Sequence, residues 1–270
     1  MISEVGNDRV GDLIKEFMEE NGVGTGSLSR YEQGQSAIAL AFLNSRSDAE
    51  YQFYKDYPHQ RLNVPFPDFK KEDMLLFGSF YALNPGIRSR VEILLEKARQ
   101  AGTAILYDPN FRSSHLDERD ELIQLIIQNM EYASMVRASD EDLKNIFEVR
   151  GADEAWEVVR PHCGILIYTA NAHGVYLRTK QIKLHLEVDP IVPVSTIGAG
   201  DTFNAGILYG LYRLGCHSGQ LEELGRQEWE QILRLAMEFS REVCLSYDNY
   251  LPQTFAQHLT SRKIIWKKEH

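Results

Sequence analysis

Short apolar runs alternate with amphipathic helical stretches from residue 74 onward, and this rhythm constrains the fold more than any other feature. Met74–Phe77 reads as a buried strand, followed by a helix over 86–100 with Ile87, Val91, Leu94 and Leu95 on one face. The strand Thr103–Tyr107, a helix over 117–130 and the short strand Met135–Arg137 continue the pattern. Helices over 140–147 and 152–159 lead to the strand Ile165–Thr169 and a hairpin over Gly174–Leu186. Two more helices are predicted over 201–214 and 227–245, the second with Trp229, Ile232, Leu233, Ala236, Phe239 and Val243 at helical spacing. Strands that are apolar throughout need cover on both faces, and strand–helix–strand units set successive strands parallel. The class is therefore α/β with a mainly parallel sheet.

The first third of the chain has a different texture. A strand stub and a Gly/Asn/Asp turn precede a helix whose apolar stripe is Leu13, Ile14, Phe17 and Met18, stopped at Gly22. No segment ahead of the stub can pair with it. Residues 28–57 alternate strand-like runs (Ala37–Leu43, Tyr51–Tyr54) with polar turns, which predicts an antiparallel β ribbon. A Pro-rich connection then leads into the α/β region.

Charge and cysteine usage exclude several function classes. With 29 Lys and Arg against 39 Asp and Glu, the net charge is −10, the opposite of a nucleic-acid-binding surface. An acidic chain that binds an anion must do so locally, with backbone N–H groups, a few cations and metal ions. Cys163, Cys216 and Cys244 are odd in number and far apart, and read as reduced, buried thiols of an intracellular protein. No apolar run has the length of a membrane span, and the expected location is the cytoplasm.

The most chemically loaded stretch is "GAGD", Gly198 to Asp201, at the start of a helical pattern. The first N–H groups of a helix have no intrahelical partners, and a Gly-Ala-Gly turn leaves them open to an anionic oxygen. Asp201 beside them can accept a proton from an attacking hydroxyl, as phosphoryl transfer requires. The plain alternative is that Asp201 is an N-cap after a tight turn. A dinucleotide turn fits less well, because Phe203 stands where its third glycine belongs and no acidic ribose partner for an NAD-dependent dehydrogenase is evident. No GxxxxGK[ST] phosphate loop occurs. Arg112, at a strand's C-terminal end, can clamp a phosphate or a carboxylate, or pair on the surface with Asp117 or Glu118.

"STIGAGDTFNAGI" (195–207) resembles the C-terminal signature of the ribokinase-like sugar kinases, the PfkB carbohydrate kinase family. "EVGNDRVGDLI" is similar to the family's segment after its first helix, and "YDPNFR" (107–112) resembles the DxNxR strand end of fructokinase-like and 2-keto-3-deoxygluconate kinase-like members. "ASDEDLKNIF" lies where the family has N-x-x-E, and "TANAHG" where it has T-x-G-x-x-G. The resemblance implies a ribokinase-like three-layer α/β/α sandwich with a mainly parallel central sheet, one kinase domain over 1–270 and a small β lid over about 28–57.

It further implies ATP and Mg²⁺ as cofactors and a small sugar as substrate, fructose or a related keto-sugar or keto-acid being suggested by "DPNFR". Gly198, Ala199 and Gly200 would bind the moving phosphate, with Asp201 as base and Arg112 as phosphate clamp. Asp108 and Asn110 would meet the substrate, although Pro109 also makes them plausible turn residues. Thr169, Asn171, Gly174 and Asn249 would lie at the nucleotide, against an ordinary hairpin turn or, for Asn249, a helix C-cap. Ser139 and Asp142 would serve Mg²⁺ through water or phosphate, against a capping box that needs no metal.

Four departures from the family pattern stand out. The opening strand with its sugar-binding Asp and the Gly-Gly-x-x-x-Asn loop have no counterpart, so Met1 falls where the second strand is expected. Ser195 replaces an Asp that helps hold a monovalent cation, which puts K⁺ dependence in doubt. Ser139 and Asp142 replace Asn and Glu, and Asn171 replaces a glycine, though Asn tolerates positive φ. The reading is an ATP-dependent sugar kinase, homodimeric through the β lid, without nucleic-acid or membrane partners. The alternative is a catalytically impaired sugar- or nucleotide-binding homologue.

Overall fold

The computed structural model describes residues 1–43, 49–59 and 61–261. Two compact units divide the chain: Met1–Phe69 with Asn84–Lys97, and Lys70–Leu83 with Ala98 onward.

In the first unit, β1 (Ile2–Gly6) leads through α1 (Arg9–Glu20) to β2 (Ser27–Tyr31), and β1 and β2 pair in parallel from Ile2↔Ser27 to Gly6↔Tyr31. Asp8 caps α1 by accepting from the Gly11 N–H at 2.8 Å. The stub thus finds its partner downstream, because a helical crossover returns the chain in the same direction. Residues 28–31 accordingly fall outside the expected ribbon. That ribbon consists of β3 (Gln35–Leu43) and β4 (Ala49–Asp56), antiparallel in the register Ile38↔Tyr54 and Phe42↔Glu50. The part of the expected lid at 44–48 lies outside the described residues. The predicted stripe of α1 is not a core stripe: Leu13 and Phe17 are 51% and 45% exposed, and Gly11 is the helix's buried position. A buried ion pair, Glu4 with Arg61, ties β1 to the segment after the ribbon, and Glu4 also accepts from the Leu62 N–H at 2.6 Å.

The second unit holds a six-stranded sheet. Its strands are β5 (Met74–Gly78), β6 (Ala104–Asp108), β7 (Met135–Ser139), β8 (Ile165–Thr169), β9 (Val175–Thr179) and β10 (Lys183–Leu186), in the order β10-β9-β8-β7-β6-β5. Strands β5 to β8 run parallel, and the β9–β10 hairpin adds two antiparallel strands. Alternate residues feed two cores. Leu106, Ile165 and Ile167 pack with α6 (Ala199–Leu214) and α7 (Arg226–Cys244). Tyr107, Val136, Leu166 and Tyr168 pack on the other face with α3 (Arg119–Tyr132), α4 (Asp140–Phe147) and α5 (Ala152–Val159). The expected α/β/α layering and mainly parallel sheet are therefore present. The chain passes from the first unit to the second within α2 (Arg88–Gln100), and α8 (Gln253–Ser261) packs Phe255 and Leu259 on Leu235 and Phe239 of α7.

Candidate active site

Three parallel strands end side by side on polar residues: Asp108 on β6, Ser139 on β7 and Thr169 on β8. Carboxyl ends of parallel strands are where open α/β sheets bind ligands. The glycine turn that starts α6 meets this edge, since a Cβ on Gly200 would lie 3.0 Å from Arg137 Nη1 of β7.

The turn itself differs from the expectation in one respect. Helix α6 begins at Ala199, not Asp201, because Gly198 at φ 82° is its N-cap. Asp201 is therefore the third residue of the first turn, and the plain N-cap reading does not hold. A side chain at Gly198 would be strained by the left-handed backbone, and its Cβ would lie 2.7 Å from the Asn249 carbonyl oxygen. The Ala199 N–H donates to Thr196 at 3.2 Å, so it is turned inward. The N–H groups of Gly200 and Asp201 have no partner among the described residues, as the first turn of a helix dictates. These two amides, with the positive end of the helix dipole, are the anion-binding element.

The Asp201 carboxylate makes no hydrogen bond or ion pair within the described residues. It keeps contact with solvent, yet the surrounding atoms desolvate it enough to raise its pKa above the usual carboxylate value, and the Asp108 charge adds to the rise. Arg137 and Arg112 oppose that shift. Arg112 is exposed and is not paired with Asp117 or Glu118 among the described residues, so its guanidinium is available to an incoming anion.

Asp108 is buried and heavily engaged. It accepts from Arg137 Nη1 at 3.0 Å and from Asn204 Nδ2 at 2.6 Å, and its other oxygen accepts from the Asn110 N–H at 3.2 Å. Asn110 adopts φ 43°, the turn conformation that Asn tolerates. Arg137 also donates from Nη2 to Thr169 Oγ at 2.8 Å and lies 5.6 Å from the Phe203 ring centroid. Phe203, the residue that broke the dinucleotide pattern, is thus part of the wall against which Arg137 rests.

Ser139 and Asp142 form a complete capping box at the start of α4. The Asp142 carboxylate accepts from the Ser139 N–H at 2.8 Å and hydroxyl at 2.6 Å, while its own N–H donates to Ser139 Oγ. Burial, followed by the Asp108 charge, raises the Asp142 pKa. Among the described residues no group of three or more His, Cys, Asp or Glu is spaced to hold a metal ion. The free oxygen of Asp142 is a hard donor that suits Mg²⁺ held mainly by phosphate and water, not by a protein cage.

The nucleotide candidates separate spatially. Thr169 is tied to Arg137, whereas Asn171 takes φ 45° in a short 3-10 turn that leads to Gly174 at φ 104°. A Cβ on Gly174 would lie 2.4 Å from the Leu186 carbonyl oxygen, so the β9–β10 hairpin alone requires glycine there. Asn249 is exposed and is not a C-cap, because α7 ends at Cys244 and is capped by Leu245. Its backbone instead backs the glycine turn. Ser195 is buried, with its hydroxyl accepting from the Ile197 N–H at 3.2 Å.

Arg137 and Asn204 are the residues that the sequence motifs did not single out. The available signal was an arginine inside the short apolar strand "MVRAS", where a charge needs a partner. Its partners could not be named from the sequence, because Asp108, Thr169 and Gly200 are brought to it by the sheet.

Comparison with known proteins agrees with this architecture. The pfkB family carbohydrate kinase profile matches residues 1–254. A probable fructokinase-3 of Arabidopsis thaliana is 25% identical over 213 residues, 77% of this chain and 62% of that protein. An aminoimidazole riboside kinase of Salmonella typhimurium is 27% identical over 221 residues, 78% of this chain and 67% of its own length. The chain spans less than two thirds of several fructokinases it matches, between 56% and 66% of their length. The fructokinase of Vibrio cholerae O395, solved with fructose, ADP and calcium ion, superposes with a TM-score of 0.80 at 17% identity, over 95% of this chain and 83% of that one. The aminoimidazole riboside kinase of Salmonella enterica gives 0.77 at 22% identity, over 96% and 85%. With its α/β/α layering, its glycine turn and a family match over nearly its whole length, the chain belongs to the pfkB family of carbohydrate kinases.

Proposed function

We propose that this protein is an ATP-dependent sugar kinase that transfers the γ-phosphoryl group to a hydroxyl of a small sugar, with fructose or a related keto-sugar or keto-acid as the acceptor. The observation that carries the reading is the unpartnered Asp201 carboxylate beside two free first-turn amides. In the forward step the Asp201 carboxylate accepts the proton of the attacking hydroxyl as its oxygen bonds to the γ-phosphorus, and the bond from that phosphorus to the bridging oxygen breaks to release ADP. A loose transition state tolerates late proton removal, so a weak base is sufficient. The Gly200 and Asp201 N–H groups face the charge that develops on the transferred group, and Arg112 supplies an exposed positive charge. Mg²⁺ carried with the nucleotide supplies neutralisation of phosphate charge. The cytoplasm is the expected location, and the exposed Ile38, Leu40 and Phe42 along β3 support a homodimer through the ribbon.

The test is ADP release across a panel of sugars with Mg-ATP, for the wild type and Asp201→Ala. Loss of a general base lowers the rate by about 10²–10⁴-fold. Sugar-dependent release that survives the substitution would reject Asp201 as the base. No release with any sugar, together with measurable ATP binding, would favour a binding-only homologue.

A further inference from the structure

Arg137 has the features of a group that organises the site without touching the reacting atoms. It is 9% exposed, within an otherwise apolar strand, and a charge so placed needs compensation from several directions. One arm of its guanidinium meets Asp108 of β6 at 3.0 Å and the other meets Thr169 of β8 at 2.8 Å, so it straps together three neighbouring strand ends. The same arm that meets Asp108 lies 3.0 Å from the position a Cβ on Gly200 would occupy. Its Nε is buried without a partner, and so is the Oδ1 of Asn204, which shares Asp108 with it. An arginine left one bond short at a strand end is held by geometry more than by full satisfaction.

We infer that Arg137 is the positioning residue of this site: its guanidinium sets the place of the Gly198–Asp201 turn against the strand ends and supplies the fixed positive charge that balances Asp108 and Asp201. The inference rests on the kinase reading for its rate consequences, but not for its structural ones. Among the described residues, the charged groups that act on Asp201 are Asp108 from β6, Arg137 from β7 and Arg112 from the loop after β6. Of the two cations, Arg112 is exposed and unpaired among the described residues, whereas Arg137 is held by two hydrogen bonds. Removing Arg137 leaves the Asp108 charge acting on Asp201 with less opposition, so Asp201 holds its proton to higher pH. It also empties the space against which Gly200 is packed.

Three variants and one double variant test this. Arg137→Met should lower kcat by about 10²-fold, as expected for a misplaced reacting group, with KM for sugar and ATP nearly unchanged. The acidic limb of its kcat profile should move to higher pH. Arg137→Lys keeps the charge and one of the two hydrogen bonds, so it should restore the limb to its wild-type position while recovering only part of kcat. Gly200→Ala should lower the urea midpoint of unfolding in the wild type and do so much less in the Arg137→Met background, a non-additive cycle. The inference is overturned if Gly200→Ala costs the same in both backgrounds, or if the acidic limb of Arg137→Met coincides with that of the wild type. Should the wild type release no ADP with any sugar, the kinase reading fails, and the unfolding cycle still decides the packing of Gly200 on Arg137. Should Arg137→Met not fold, Arg137→Gln, which removes the charge and keeps a hydrogen-bond donor, takes its place in the cycle and the profile.

Discussion

Helices α6 and α7 approach each other through Gly206 and Gly210, and the two positions should respond differently to the same small change. At Gly206 a Cβ would lie 2.5 Å from the Cα of Ala236, a backbone atom. Carbon atoms in good contact sit about 3.5–4.0 Å apart, so Gly206→Ala requires the helices to separate by about 1 Å. Helix α7 cannot yield freely, because Trp229, Ile232, Leu233 and Ala236 are completely buried in the core it shares with α6 and the sheet. Overpacking of this kind costs about 1–3 kcal/mol, and more where backbone must move. The gain in helix propensity from Gly to Ala returns up to about 1 kcal/mol. A net loss of about 1–2 kcal/mol is expected, or roughly 2–4 °C in Tm for a chain of this size.

At Gly210 the nearest atoms are Ile232 Cγ1 and Cγ2 at 3.2 Å, with its Cα at 3.3 Å. A few tenths of an ångström of adjustment at Ile232, side chain and backbone together, suffices, and the propensity gain offsets it. Gly210→Ala should therefore stay within about 0.5 kcal/mol of the wild type, as additive small effects do. Urea unfolding followed by far-UV circular dichroism gives both values from the midpoint and slope. Ala236→Gly should not rescue Gly206→Ala, since the clash is with the Cα. A Gly206→Ala protein as stable as the wild type, or a larger loss at Gly210 than at Gly206, would refute the packing argument.

Two further outcomes follow from the charged cluster. Asp108→Asn should destabilise by about 3 kcal/mol, because Arg137 is left with a buried charge and one amide hydrogen must face another donor; a urea midpoint equal to that of the wild type would show that the pair contributes nothing. Asp201→Asn should unfold at a higher urea concentration than the wild type near pH 7 while losing activity. The folded pKa of Asp201 is raised, so its stabilising contribution is complete below the unfolded value of 3.8 and is lost as pH rises through the folded value. The two midpoints should converge below that value, and a less stable Asp201→Asn at pH 7 would reverse the sign.

Local pattern made the α/β half of this chain readable. The spacing that predicts helices over 140–147 and 152–159, and a strand over Ile165–Thr169, coincides with α4, α5 and β8, because each carries its cap or its apolar run in its own residues. What the sequence could not supply was tertiary. Whether the Leu13 and Phe17 stripe of α1 has a partner is decided outside the helix, and periodicity alone predicts only a stripe. The parallel pairing of β1 with β2 depends on a crossover, where a run of strand-like residues reads equally well as a hairpin. Arg137 was legible as an anomaly, a charge in a buried strand, but its meaning lies in Asp108 and Thr169, 29 and 32 residues away.

The two glycines of the turn illustrate why a short motif is weak evidence by itself. Gly198 is demanded by a left-handed backbone and by the Asn249 carbonyl; at Gly200 a Cβ would be close against the Arg137 guanidinium. Both contacts come from the protein's own packing, so glycine at these positions is explained by packing alone. The chemical content comes from what the packing leaves over. Two amides are left without partners among the described residues, and the carboxylate of Asp201 is left free while Asp108 accepts on both oxygens and Asp142 on one. One uncommitted carboxylate among committed ones, beside open donors, is the arrangement a proton-accepting site needs. The glycines make room for it, and the unsatisfied groups give it a task.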